Sequence, residues 1–309
     1  MQDQRKTSVT YQAIHPELAG QRIDHFLFCL LKNVPKNLIY RLIRTGQIRI
    51  NKKRTTLDYR IAAGDTLRIP PVHIKETLQP FIPPKNFHIL YEDEVLVVID
   101  KPANVASHGG SGISFGVIEQ FKKMRPNARY LRLVHRLDKE TSGLLMLAKK
   151  HSALVHLHET LRKGNAEKHY YALVLGNFTN DREEVKVPLQ IRRTSDGKKY
   201  VEVNQAGRFS HTIFTVIKRF KDFTLVDAHI KTGRTHQIRA HLKYLGHPIA
   251  GDQRYGDLTH NQTLLALGLR RAFLHAYRIT LPHPVENKLL TVESSLANDL
   301  QKTLEQLNC

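Results

Sequence analysis

Cysteine is scarce in this chain of 309 residues: there are two, Cys29 and Cys309. Two so far apart make neither a disulfide framework nor a cysteine-based zinc site. Long apolar runs are also missing. Phe26–Leu31 and Val95–Ile99 are the longest of note, against the roughly 18 residues that a membrane helix needs. The opening stretch MQDQRKTSVTYQ has no hydrophobic segment, so no signal peptide is expected and the cytoplasm is the expected compartment. Acids are outnumbered: 28 Asp+Glu stand against 48 Lys+Arg, a net charge of +20. Such an excess calls for a polyanionic partner, nucleic acid first and an anionic membrane surface second. With 41% hydrophobic residues the chain is nevertheless not a wholly disordered polycation.

Several motifs of small-molecule and metal chemistry are absent too. There is no Gly-rich nucleotide loop, no dinucleotide fingerprint and no Gly-x-Ser-x-Gly elbow. His236 and His241 lie five apart rather than four, with no cysteine near them, so no metal is expected.

The clearest composition break is Pro70, Pro71, Pro80, Pro83 and Pro84, too dense for a helix interior or a central strand. It divides the chain into a module over 20–70, a linker over 71–86 and a larger domain over 87–309. In the module, Ile23, Phe26, Leu27, Leu30 and Leu31 keep helical spacing, as do Leu38, Ile39, Leu42 and Ile43, with Gly46 placed to end the second helix. Between Lys36 and Arg60 there are eight basic residues and one acid, Asp58. Arg41, Arg44, Lys52, Lys53 and Arg54 are the candidates for phosphate contacts, the alternative being an ordinary solvated surface. RIDHFLFCLL, LIRTGQIRIN and AAGDTLRIP resemble the S4 RNA-binding module. Many such modules turn on Asn-Gly, whereas this one has Asn51-Lys52, which puts the turn type in question because Lys resists positive φ.

Beyond the linker, Val95–Ile99, Leu144–Ala148 and Tyr171–Leu175 read as buried strands. Ser152 and Thr235 are placed to cap helices that end at Gly164 and Gly246. Strands outnumber helices without regular alternation, so the fold class is α+β, a mixed or antiparallel sheet with helices packed on it. Polar candidates gather in LVHRLDKETSGLL, KHYYALV, KTGRTHQIRAHLKYLGHPIAGDQRY and the turn at Asp100-Lys101-Pro102. Asp138 sits between Arg136 and Lys139, cations that favour its carboxylate form and its use as a nucleophile or electrostatic stabiliser. On spacing alone, an Asp capping a turn is the more ordinary reading. A Tyr beside a basic residue, as at 168–171, can be core or a platform for an unstacked base.

HRLDKETSGLL together with KHYYALV, GRTHQIRAHL and FLHA resembles the RluA-type pseudouridine synthases from about residue 15 onward. YRLIRTGQIRINKKR and HGGSGISFGVIE are most similar to the S4-bearing members that modify large-subunit ribosomal RNA. The resemblance implies a sheet-based catalytic domain, ribosomal RNA as partner and isomerisation of uridine without cofactor or metal. By position it implies that Asp138 is the attacking aspartate and Arg136 the residue that fills the gap left by the flipped nucleotide. It further implies that Tyr170 stacks on the base, that Arg239 pairs with the carboxylate, and that Lys101 and Leu274 support the substrate site. No obligate protein partner is implied, and a monomer is expected. A transfer RNA substrate, or a non-catalytic ribosome-assembly factor on the same scaffold, are the alternatives. Asp100 stands where the family often has Asn, a difference without an account; Asn104 two residues past Pro102 tolerates the left-handed geometry that Gly would take.

Overall fold

The computed structural model describes residues 8–31, 34–72, 86–109, 115–194 and 199–307. The first part runs β1 (Thr10–Ala13), a 3₁₀ turn, α1 (Ile23–Leu30), α2 (Lys36–Arg44), β2 (Arg49–Ile50), β3 (Lys53–Arg54) and β4 (Thr66–Ile69), in a sheet of order β1-β4-β2-β3. Both helices bury the apolar stripes read from the sequence: Ile23, Phe26 and Leu27 on α1, and Ile39, Leu42 and Ile43 on α2. Gly46, at φ +70°, follows α2 in the left-handed conformation expected of it.

The turn between β2 and β3 differs from what Lys52 suggested. Asn51 and Lys52 both take positive φ, 49° and 66°, the pair a two-residue type I′ hairpin requires. Asn51 imposes it. Its amide donates to Asp65 Oδ1 at 2.8 Å, its side-chain oxygen accepts from Thr66 N at 2.8 Å, and its own N–H reaches Thr66 O at 2.9 Å. Asp65 also accepts from Tyr59 Oη and Ala62 N. Burial opposes its charge, but these hydrogen bonds prevail and hold its carboxyl below the usual range.

The second part contains β5 (His88–Glu92), β6 (Leu96–Lys101), α3 (Val117–Met124), β7 (Arg132–Leu133), β8 (Ser142–Ala148), α4 (His151–Lys163), β9 (Glu167–Leu175) and β10 (Arg182–Arg193). It continues with β11 (Lys199–Val203), β12 (Arg208–Arg219), β13 (Phe223–Ile230), α5 (Gln237–Tyr244), α6 (Leu258–Ala266), β14 (Leu274–Pro282), β15 (Leu289–Glu293) and α7 (Asn298–Leu307). The sheet runs β11-β10-β12-β13-β9-β14-β8-β6-β5, with β15 beside β14 and β7 beside β8. Only the contact of β14 with β8 is parallel among the described pairings. This is a mixed, largely antiparallel α+β fold, as the irregular strand pattern indicated.

Two helix starts move from their expected places. Ser152 lies inside the first turn of α4, which begins at His151. A Thr235 cap is replaced by His236, which enters α5 at φ 50°. The buried polar face of α5 explains the shift. Gln237 Nε2 donates to His211 O and Thr212 Oγ1, while His241 meets Thr212 Oγ1 and Ser210 Oγ. Those bonds to β12 fix the rotation of the helix, and the preceding turn must accommodate it.

Described contacts between the two parts include Arg132 Nη2 on Cys29 Sγ and His151 beside Gly20. Each part has its own apolar core, one drawn from residues 14–72 and the other from 87–300. Most of the proline-rich linker, 73–85, lies outside the described residues, as does 110–114 of the glycine-rich stretch after His108. Among the described residues no helix is long and apolar enough to cross a membrane, and no cluster of His, Cys, Asp or Glu is arranged to hold a metal ion.

Candidate active site

The loop between β7 and β8 carries Arg136 and Asp138 and is pinned from below. Buried Ser107 donates to Leu137 O at 2.8 Å and accepts from Leu137 N at 3.0 Å. Thr141 N closes the turn on Asp138 O at 3.2 Å. Pinning a single residue from both its N–H and its C=O leaves its neighbours little freedom, so the side chains of 136 and 138 project from a fixed backbone.

Asp138 is partly open, with 31% of its side chain exposed. Arg239 Nη1 donates to its Oδ2 at 3.3 Å, and His236 Nε2 lies 3.7 Å from the same oxygen. Burial lowers the His236 pKa, with the Asp138 charge opposing, so near neutrality this imidazole is uncharged. Its Nδ1 is 2.8 Å from Tyr255 Oη, which in turn accepts from Val201 N.

Arg239 is itself held from behind. Its Nε and Nη2 make a bidentate pair with Asp252 at 2.6 and 2.8 Å, and its guanidinium lies 4.9 Å from the centre of the Tyr255 ring. Burial works against its charge, yet Asp252, Asp138 and Glu140 raise the pKa above the ordinary value. Asp252 is fully enclosed, and Arg239 with the N–H groups of Arg254 and Tyr255 overcomes burial to keep its carboxyl below the usual range. The pair thus points one guanidinium nitrogen at Asp138 without leaving Arg239 dependent on it for charge balance.

Tyr170, on β9, is buried, and burial with the nearby Asp138 charge drives its phenol upward. Leu274 and Ala276 pair with Ala172 and Tyr170, so Leu274 shares the sheet face of Tyr170. Lys168 lies on that face as well, two residues before Tyr170. Burial alone lowers its amine to about 8. Arg136 is exposed, its Nη1 2.9 Å from His108 Nε2.

Lys101 departs from its expected substrate contact. It is wholly buried, and its amine donates to the carbonyls of Pro102 and Val105 at 2.9 Å and of Lys139 at 3.3 Å. It ties the turn after β6 to the Asp138 loop rather than reaching solvent. Asn104 takes φ 64° in that turn, the left-handed geometry that Asn tolerates. The structure therefore brings Arg239 and Tyr170 near Asp138, sets Leu274 on the Tyr170 face of the sheet, and leaves Arg136 exposed on the Asp138 loop. The module residues Arg41, Arg44, Lys52, Lys53 and Arg54 are all exposed on the other part of the chain.

A family model described as RNA pseudouridylate synthase matches residues 95–244, which include Arg136, Asp138, Tyr170 and Arg239 but not Leu274, and an S4 domain model matches 21–67. Ribosomal large subunit pseudouridine synthase C of Pasteurella multocida is 45% identical over 307 residues, 97% of this chain and 94% of that protein. The chain belongs to the RNA pseudouridylate synthase family. The protein of that same name from Salmonella typhimurium is 46% identical over 309 residues, 97% of each chain. Among solved synthases, the human RNA pseudouridylate synthase domain containing 4 superposes with a TM-score of 0.59 at 28% identity, over 72% of this chain and 93% of that one. As a member of the family the chain is an RNA-modifying isomerase, with an RNA-binding S4 domain ahead of the synthase sheet.

Reading the sequence missed Asp252, His236 and Ser107 as parts of this site. His236 lies inside RTHQ, where its closeness to Arg239 was visible but its reach to Asp138 was not. Asp252 gave no signal, being a single acid 13 residues beyond Arg239 that folding brings behind the guanidinium.

Proposed function

We propose that this chain isomerises uridines of large-subunit ribosomal RNA to pseudouridine, with Asp138 as the nucleophile. The names of the relatives that match nearly its whole length support the substrate, and they favour it over transfer RNA. The observation that carries the chemistry is the half-open Asp138 carboxylate set before a guanidinium already balanced by buried Asp252. A binding protein would have no use for that arrangement, whereas a nucleophile needs a carboxylate oriented and reachable.

The reaction breaks the C1′–N1 bond and forms C1′–C5; C5 loses a proton and N1 gains one. It is redox-neutral. The target uridine must leave the helical stack, at a cost of a few kcal/mol. Stacking on Tyr170, worth about 1–3 kcal/mol per base, offsets much of this. Because burial and Asp138 keep the Tyr170 phenol protonated, its role is to stack and donate a hydrogen bond rather than to serve as a phenolate base. Arg136, exposed on the rim, takes the space the uridine vacates. Residues 20–70 grip folded RNA through the basic strip, 71–86 connect, and 87–309 carry the chemistry, in the cytoplasm where ribosomal RNA is processed.

Asp138→Asn should abolish pseudouridine formation while RNA binding persists. Pseudouridine mapping of ribosomal RNA from cells lacking the gene, with and without complementation by each form, measures this directly. Restoration of the lost sites by Asp138→Asn would overturn the assignment.

A further inference from the structure

Against β10, β11 and the turn at 233–235 lies a concavity of about 430 Å³, which is within the size of small-ligand sites. Strand register carries the Tyr170 face across the sheet, from Tyr170 to Ala228, from Ala228 to Phe214, and so to Leu189, Arg208 and Ile191. Ile191 pairs with Val201 of β11, and these two with Leu189 make an apolar floor. Val201 is buried against Ala240 and Tyr255, but Ile191 is 54% exposed. An isoleucine so placed at the end of a cleft gives a flat apolar surface that water covers poorly.

The rim is cationic. Arg208 stands beside Leu189, and Arg234 lines the same opening, fixed through Nε to Phe209 O at 3.1 Å, one residue from Arg208. Among the described residues no carboxylate pairs with either guanidinium. The lining includes the turn at Gly233 and Arg234, whose continuation at His236 lies 3.7 Å from Asp138 Oδ2. One short turn therefore separates this pocket from the reacting carboxylate.

An apolar floor with two guanidiniums that no described carboxylate pairs matches a nucleotide: a flat base below and one phosphate at the edge. A bare anion would not use the floor, and a neutral apolar ligand would not use the arginines. We propose that this pocket receives a nucleotide flanking the target uridine in the substrate RNA. Its base lies on Ile191 and Val201, and its phosphate lies between Arg208 and Arg234. The inference rests on the ribosomal RNA reading above and extends it. Single-stranded RNA is commonly recognised through bases splayed out of the stack. Holding a neighbour apart from the stack also makes room for the target to leave it, and gives the enzyme a second base by which to choose its site.

The test starts with the full chain and transcribed large-subunit ribosomal RNA, on which a modified uridine is mapped. A synthetic stem-loop bearing that uridine is then made with one abasic nucleotide at a time on either side. The wild-type enzyme should lose about tenfold in KM at one flanking position. Ile191→Ser and Arg208→Ala, both at surface positions, should each raise KM on the intact stem-loop by about five- to tenfold, the loss falling on KM more than on kcat. In Ile191→Ser the abasic nucleotide at the sensitive position should add no further loss. Wild-type KM in both variants, or losses that multiply at every position, would overturn the pocket while leaving the substrate intact. Failure of the wild-type enzyme to modify large-subunit RNA would overturn the substrate reading and this one with it.

Discussion

Asp252 never meets solvent, yet the geometry around the proposed nucleophile, Asp138, depends on it. Its two oxygens hold Nε and Nη2 of Arg239, so only Nη1 faces Asp138. Asp252→Asn should leave a buried guanidinium short of its counter-charge, at a cost of about 3–5 kcal/mol. With Arg239 free to tilt, kcat should fall roughly 10²-fold while KM changes little. Urea denaturation and single-turnover kinetics measure the two effects separately. Lys168 is the opposite case, a half-buried cation that no described carboxylate balances. Burial lowers its amine from 10.5 to about 8, so between those values the unfolded chain binds a proton that the folded chain has lost. Stability therefore rises with pH across that window, and below it the fold bears the full cost of a buried ammonium. Lys168→Met should stabilise the protein at pH 7 by about 1–3 kcal/mol, and the gain should shrink between pH 8 and 10.5. A gain that stayed constant with pH would show that packing, not charge, was relieved.

At the scale of elements, the site depends on how closely β8 meets β14. Gly143 follows the Asp138 loop at φ +105°, and a Cβ there would lie 2.1 Å from the carbonyl oxygen of Ala276, the residue it pairs with across the parallel contact. Gly164, which ends α4 at φ +77°, would place a Cβ in open space, with nothing within 4 Å. Gly164→Ala should thus cost about 1 kcal/mol, conformational strain alone. Gly143→Ala adds a backbone clash and should cost at least about 3 kcal/mol. Equal losses for the two in urea denaturation would contradict the close approach. The C-terminal helix α7, on which the sequence was silent, also reaches the site. Buried Arg271 pairs with Asp299 of α7 at 2.6 Å and donates to Glu140 O and Ser142 Oγ, on either side of the turn into β8.

For the whole molecule, the charge divides by role. Lys36, Arg41, Arg44, Arg49, Lys52, Lys53, Arg54 and Arg60 are all exposed, and none pairs with a described carboxylate. Arg239 and Arg271 are instead enclosed and neutralised by acids. The first set suits the sequence-independent hold on RNA phosphates, the second the shape of the active site. Replacing Lys52, Lys53 and Arg54 by Ala should lower the slope of log K against log salt by about 2–3 and weaken binding evenly across RNA sequences. Filter binding over a salt series checks this. An unchanged slope would remove the basic turn from the RNA interface.

The amino-acid order alone determined the apolar stripes of α1 and α2, the buried runs that became β6, β8 and β9, and the segments that hold Asp138, Tyr170 and Arg239. Those features are local, since periodicity and motif depend on near neighbours. Three others needed the folded chain. The hairpin at Asn51-Lys52 adopts positive φ because Asp65 and Thr66, distant in sequence, satisfy Asn51. Lys101 turned from a substrate contact into a buried tie because three carbonyls converge on it. Asp252 entered the site because α5, rotated by its bonds to β12, brings Arg239 between two acids that lie 114 residues apart, at 138 and 252. Burial and long-range pairing set hydrogen-bond partners and pKa directions, and both arise from the way the chain packs.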